Sequence, residues 1–195
     1  MYHTRMIKAI VLSAMLAAVG LCSILPIARA QSRSPSKPLI IYYSLTGTTR
    51  IIVQELVQNL SSELEEIVSR KKRHFFWKIT CVHDQLFDRD DAMEPVKRDL
   101  TEYNKLIVAT PIWIHNISSP MRTFLKYSGL KGKSVWLVLT KNGNYNADDQ
   151  HRIIQFVESL GITVVGCSSI CTKGKSAETL RQHTHSLLGE ITFPN

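Results

Sequence analysis

The chain has 195 residues, 44% of them apolar and 21% charged, with a formal net charge of +8. That composition builds a globular domain with a real core and excludes a chain dominated by disorder. The basic excess would suit an anionic partner, but no aromatic residues interleave the cations, so nothing indicates a nucleic-acid face.

Arg5 and Lys8 precede an acid-free apolar stretch over 9–27, and Ala28-Arg29-Ala30 puts small residues at the two positions a signal peptidase reads. Residues 1–30 therefore read as a secretory signal, with export to the periplasm or the exterior as the expectation. A retained membrane anchor is the alternative, because about 19 apolar-dominated residues could just span a bilayer. Gly20, Pro26 and the Ala-Arg-Ala site weigh against the anchor. Leu21 before Cys22 is bulkier than a lipoprotein signal places there, and no twin-arginine pair is present. Removing Arg5, Lys8 and Arg29 from the net charge of +8 leaves the mature chain at +5.

Residues 31–37 are polar and read as a tether, and 38–195 as one domain. An apolar run predicts a first strand over 39–43. A helix from Thr48 or Thr49 to about Ser69 follows, with Ile51, Ile52, Leu56, Val57 and Leu60 at helical spacing. Arg70-Lys71-Lys72-Arg73 would then be the solvated exit of that helix, where cations favour the negative end of the dipole; as a function it would touch anionic lipid or nucleic acid. A second strand is expected over 75–82 and a short helix over 95–103. Strand three covers 105–110, a helix 120–128, strand four 134–140, a helix from 144–150 to Leu160, strand five 163–169 and a last helix 176–188. Strands that nearly all lack alternation, each followed by a helix, predict an α/β fold with a five-stranded parallel sheet covered on both faces.

Open parallel sheets bind ligands beyond the carboxyl ends of their strands. Three segments there have unusual content. After strand one, Ser44, Thr46, Thr48 and Thr49 surround Gly47 directly before a helix. Hydroxyl donors, a glycine that lets the backbone approach closely and a helix N-terminus together form a cradle for an anion. No lysine lies in the loop and no Gly-Lys-Ser/Thr follows, so it is not the loop of nucleotide triphosphatases, and a monophosphate fits better. The same hydroxyls would also serve as plain helix caps.

The second segment, Thr110 to Ser119, places Trp113 beside Pro111, with His115 and Asn116 beyond. An exposed Trp would suit a flat aromatic ligand, whereas a Trp folded back as a lid on the first or third helix would be structural. His115 is the weak catalytic candidate: a proton donor, or a solvated loop histidine. The third segment contributes Thr140, Asn142, Gly143 and Tyr145, with backbone amides near the glycine.

Ser44-Leu45-Thr46-Gly47-Thr48-Thr49 resembles the phosphate loop of flavodoxins, whose pattern is Thr/Ser, any residue, Thr, Gly, any residue, Thr. Tyr103 to Pro111 with Trp113, followed by Pro120-Met121-Arg122-Thr123-Phe124-Leu125, is similar to the family's third-strand signature. The resemblance covers about 38–188. It implies a flavodoxin-like doubly wound sheet of order 2-1-3-4-5 that binds FMN between strands one and three, a family whose site geometry is a known illustration of the switch-point rule. Residue by residue, it implies that Ser44, Thr46, Gly47, Thr48 and Thr49 hold the phosphate. Thr110, Pro111, Trp113, His115 and Asn116 would line the ring, and Thr140, Asn142, Gly143 and Tyr145 would border its pyrimidine edge.

Ala109 and Asn104 depart from the family's usual Gly and Asp. The basic charge departs from the acidic flavodoxins and favours an acidic partner, a membrane surface or a small quinone over the usual reductase docking. The resemblance implies either an electron shuttle or an NAD(P)H-dependent oxidoreductase that reduces a quinone-like acceptor. A flavin-free binding domain on the same fold is the rival, since an exported chain would acquire flavin only after translocation. With that strand order, Cys81 and Cys167 fall on opposite edges of the sheet, four spacings of about 4.8 Å apart, and Cys167 and Cys171 are separated along one extended segment, so no disulfide is expected. His183 and His185 point different ways on the last helix, and no metal site is expected. Oligomeric state is not indicated.

Overall fold

In the computed structural model the described residues are 37–71, 77–143 and 145–193. The expected leader and most of the tether lie outside them, as do Phe75 and Phe76 of the expected second strand and the Lys72-Arg73 half of the basic run. Strand β1 (Leu39–Tyr42) leads into α1 (Thr48–Leu60), then β2 (Glu63–Glu66) and α2 (Trp77–Leu86). A 3-10 turn at Leu100–Glu102 precedes β3 (Leu106–Trp113), which folds back on the two-residue β4 (Asn116–Ile117). The chain continues through α3 (Ser119–Tyr127), β5 (Ser134–Lys141), α4 (Ala147–Ser159), β6 (Thr163–Cys171) and α5 (Ala177–Leu188).

Five strands pair in the order β2-β1-β3-β5-β6, all parallel, while β4 pairs antiparallel with the end of β3. The hairpin strand aside, this is the expected order, and the fold is the flavodoxin-like one.

Strand alternation sorts the core into two faces. Leu39, Ile41, Leu106, Val108, Val135, Leu137 and Leu139 point to one side, where Cys81 of α2, Met121, Phe124 and Leu125 of α3, and Ile153 and Val157 of α4 cover them. Ile40, Tyr42, Ile107, Ala109 and Val138 point to the other, against Ile52, Val53 and Leu56 of α1 and Leu180 and Leu187 of α5. Both faces being buried is why the strands read as continuous apolar runs. Gly166 on β6 is required by packing: a Cβ there would come within 2.2 Å of the Trp136 ring.

Three expected elements are corrected. The first helix ends at Leu60, not near Ser69, because Ser61 turns left-handed at φ 47° and releases the chain into β2. That strand, Glu-Leu-Glu-Glu, has poor intrinsic strand preference and is made by its partners. Leu64 packs on the lower core. Glu63 accepts from the Tyr103 hydroxyl at 2.8 Å and pairs with Arg98, and Glu65 accepts from the Lys97 amide at 2.8 Å. Such a charged edge also discourages pairing with other chains.

The residues expected as strand two are instead helix α2 from Trp77, since a short apolar run does not by itself distinguish a strand from a buried helix. Cys81 therefore sits on a helix rather than on a sheet edge. The basic run does not follow a helix; Lys71 pairs with Asp84 of α2 at 3.1 Å. The helix expected over 95–103 is reduced to the 3-10 turn, capped by Asp99. Cys167 and Cys171 lie on the same strand and are free thiols, with burial pushing Cys167 up to about 12. Among the described residues no helix is long and apolar enough to cross a membrane.

Candidate functional site

The loop after β1 reaches α1 through Gly47, whose φ of 85° is open to glycine and strained for other residues. Gly47 offers no side chain to cap the helix, and nothing lies within 4 Å of where its Cβ would be. Helix α1 thus turns its positive dipole end toward open space. Around it, Thr46 and Thr48 share a hydroxyl–hydroxyl bond of 3.2 Å, and the Arg50 amide donates to Ser44 Oγ at 3.3 Å, which pre-orders the turn. The Arg50 guanidinium does not enter the cradle. It pairs with Glu66 at 2.5 Å and donates to the Tyr42 hydroxyl at 3.2 Å, and those two contacts raise its affinity for the proton.

Thr49 differs from its neighbours. Its hydroxyl is buried and bonds Thr140 Oγ1 at 2.9 Å, joining the cradle to the end of β5. Both threonines still border a cavity of about 500 Å³ above the sheet, within the size range of small-molecule sites. Its other walls include Thr46, Thr48, Pro111, Ile112, Trp113 and Ile114. Asn142, Thr172, Leu45, and Cys81 and Val82 of α2 complete it.

The expected second loop is largely a hairpin. Strand β3 runs on through Pro111 to Trp113, and Trp113 opposes Asn116 across a two-residue turn, Ile114-His115. Both turn residues have positive φ, 43° and 62°, the primed geometry that Asn-Gly usually fills. For a β-branched Ile this is a strained conformation of the kind that clusters at functional sites. The strain puts Ile114, 44% exposed, at the cavity wall.

Trp113 is not an exposed platform. It is 9% exposed and stands edge-on against Tyr43, with ring centroids 5.7 Å apart at 83°. Thr110 is fully buried, bonded to Ser118 Oγ at 2.9 Å, and Asn116 Oδ1 accepts from the Ile117 amide, so neither is among the residues that face the cavity. His115, Gly143 and Tyr145 instead border an adjoining cavity of about 110 Å³ that shares Ile112, Ile114 and Asn142 with the larger one. The Tyr145 hydroxyl is buried with no hydrogen-bond partner among the described residues; burial first, then Cys167 and Asp149, push it up.

Sequence reasoning missed Ile112 and Ile114, although they sit between residues it singled out. It also missed Asp149, 34 residues along the chain from its partner His115. Cys81 and Val82 could not be found once α2 was taken for a strand.

Residues 37–175 match the family described as NADPH-dependent FMN reductase. No curated protein is matched by the chain. Among solved structures, a flavoprotein from Lactobacillus acidophilus in complex with FMN aligns with a TM-score of 0.57 at 18% identity, over 68% of this chain and 92% of that one. A flavoprotein from Bacteroides uniformis aligns at 0.58 and 20%, over 76% and 97%. The general stress protein 14 from Treponema denticola, in complex with FMN, aligns at 0.50 and 11%, over 79% and 97%. At these identities the structural likeness speaks for the fold.

Proposed function

Because the chain belongs to the NADPH-dependent FMN reductase family, whose cofactor is FMN, we propose that it is an oxidoreductase that draws on a reduced nicotinamide and reduces a small quinone-like acceptor. The residues present suit FMN: the α1 N-terminus behind Gly47, the hydroxyls around it and the open space at Gly47 match a phosphate, and the adjoining cavity, with Pro111, Ile112 and Ile114 on its wall, matches a ring. FMN when bound supplies the two-electron chemistry, and the protein supplies placement and electrostatics.

In this reading Gly47, Thr46 and Thr48 hold the phosphate, with Ser44 fixing the turn. Pro111, Ile112, Ile114 and Val82 keep water from the ring, and Asn142, Gly143 and Thr172 border its polar edge. The observation that supports an acceptor, rather than electron passage alone, is Trp113. A Trp lying flat over the ring would close the site to a substrate, whereas here it is nearly buried edge-on against Tyr43 and shares the cavity wall with Ile114 of the strained turn. The signal-like composition of residues 1–30 supports export, in which case FMN joins the domain after translocation.

The test is spectroscopic. Protein incubated with FMN and desalted should retain the flavin bands; NADPH should bleach them without oxygen, and benzoquinone should restore them within the turnover time. Retained flavin that NADPH does not bleach would contradict the reductase reading and leave a shuttle.

A further inference from the structure

We propose that Asp149 is a positioning residue that makes His115 the proton-transfer group of the site, serving an acceptor that takes up a hydride and a proton, namely a quinone or a comparable conjugated carbonyl compound. This rests on the oxidoreductase reading above.

His115 Nδ1 lies 2.9 Å from Asp149 Oδ2. The two side chains are placed oppositely: Asp149 is 1% exposed and His115 56%. Asp149 sits in the first turn of α4, where it completes a capping box with Asn146, and its other oxygen pairs with Arg152. Burial by itself would raise this carboxyl, but the bonds from His115, the Asn146 amide and Arg152 outweigh it and hold it below the ordinary carboxylate range. Asp149 is therefore ionised near neutrality and can only accept. Nδ1 of His115 must carry the proton, which leaves Nε2 as the exchanging nitrogen.

The backbone aims it. His115 occupies the second position of the strained turn, clamped by the β3–β4 pairs on one side and by Asp149 on the other. Its side chain borders the smaller cavity, beside the walls shared with the larger one. The charged and titratable groups facing it are Asp149, Arg152 behind it, and Lys141 and Tyr145 across the cavity, with Lys141 Nζ 4.8 Å from the Tyr145 ring centre. These groups leave the imidazole as the proton donor: the Tyr145 hydroxyl is buried, and Lys141 lies against the tyrosine ring.

The step balances. A quinone that gains a hydride from reduced FMN receives two electrons and one proton; the second proton comes from protonated His115, whose Nε2–H bond breaks as the new O–H bond forms. The flavin is oxidised, the quinone becomes a hydroquinone, and the neutral imidazole regains its proton from water. Asp149 keeps Nδ1 protonated throughout, the role a buried carboxylate plays behind a catalytic histidine. An asparagine there would present an N–H to Nδ1 and move the proton to Nε2.

Two measurements test this. Long-range ¹H–¹⁵N NMR of the full chain without flavin should show neutral His115 as the Nδ1–H tautomer, switching to Nε2–H in Asp149→Asn; an Nε2–H or averaged wild-type tautomer overturns the proposal even if the variant does not fold. With FMN and NADPH, His115→Gln should lower the ratio of benzoquinone to ferricyanide turnover by about 100-fold, the usual scale of general acid catalysis, because ferricyanide takes an electron without a proton. That loss should fall on kcat, with the quinone KM within about threefold. An unchanged ratio overturns the proposal alone. Wild-type protein whose bound flavin NADPH cannot reduce overturns the oxidoreductase reading and the proposal with it.

Discussion

The two ends of the cavity are built on opposite plans. The anion end is local: six consecutive residues, one left-handed glycine and the start of the next helix make the cradle from backbone dipoles and hydroxyls. The end proposed for the ring is assembled at long range, from a strained hairpin after β3, the segments after β5 and β6, and one edge of α2. A local site depends on backbone conformation, a long-range one on packing and pairing, so the two should fail differently when perturbed.

The largest effect on flavin binding is expected at the local end. Gly47→Val forces a β-branched residue into a left-handed turn at a cost of about 2 kcal/mol, equivalent to roughly a 30-fold rise in the FMN Kd. Equilibrium titration checks it, and an unchanged Kd would mean that the turn does not shape the site. Next comes the link between the ends. Thr49→Val leaves the buried Thr140 hydroxyl without its partner and should cost about 1–2 kcal/mol in denaturant unfolding, while Thr49→Val with Thr140→Val should recover most of it.

At the ring end, Ile114→Asn relieves a disfavoured φ and should stabilise the fold by about 1 kcal/mol while weakening quinone binding. A variant that loses stability would show that the Ile114 side chain is held by packing stronger than the strain. The smallest effect is the pH dependence set by Asp149. Its folded-state affinity for protons is depressed, so the stability it contributes is complete above the unfolded carboxylate range, near pH 4, and is lost as pH falls through the lower folded value. Asp149→Asn should flatten that acid limb, seen as unfolding free energy measured from pH 5 downward.

The same contrast explains how far the sequence could be read. The turn into α1 was legible because it is contiguous: Thr46, Gly47 and Thr48 mark a hydroxyl-rich glycine turn before a helix without any distant partner. The parallel sheet was legible because burial on both faces leaves continuous apolar runs in β1, β3 and β5. Strand β2 was not, because Glu63, Glu65 and Glu66 gain their strand character from β1, Arg98 and Tyr103, none of which is near in sequence. Helix α2 was not, because an apolar run of that length suits either element. The Ile114-His115 turn lacks the Asn or Gly that marks such hairpins, and Asp149 looks like an ordinary capping residue until the fold brings His115 to it. Trp113 was expected in an exposed loop from its place beside Pro111; it lies at the end of β3, packed edge-on against Tyr43 on the cavity wall.

In the proposed site, α1 and its hydroxyl loop hold a phosphate without a cationic side chain while the cavity takes the ring. Parallel fluorescence titrations with FMN and riboflavin, which share the ring and differ in the phosphate, test it most directly. FMN should bind at least tenfold more tightly, about 1.4 kcal/mol or more from the phosphate, and that advantage should shrink in Gly47→Val. Equal affinities for the two flavins would contradict the account.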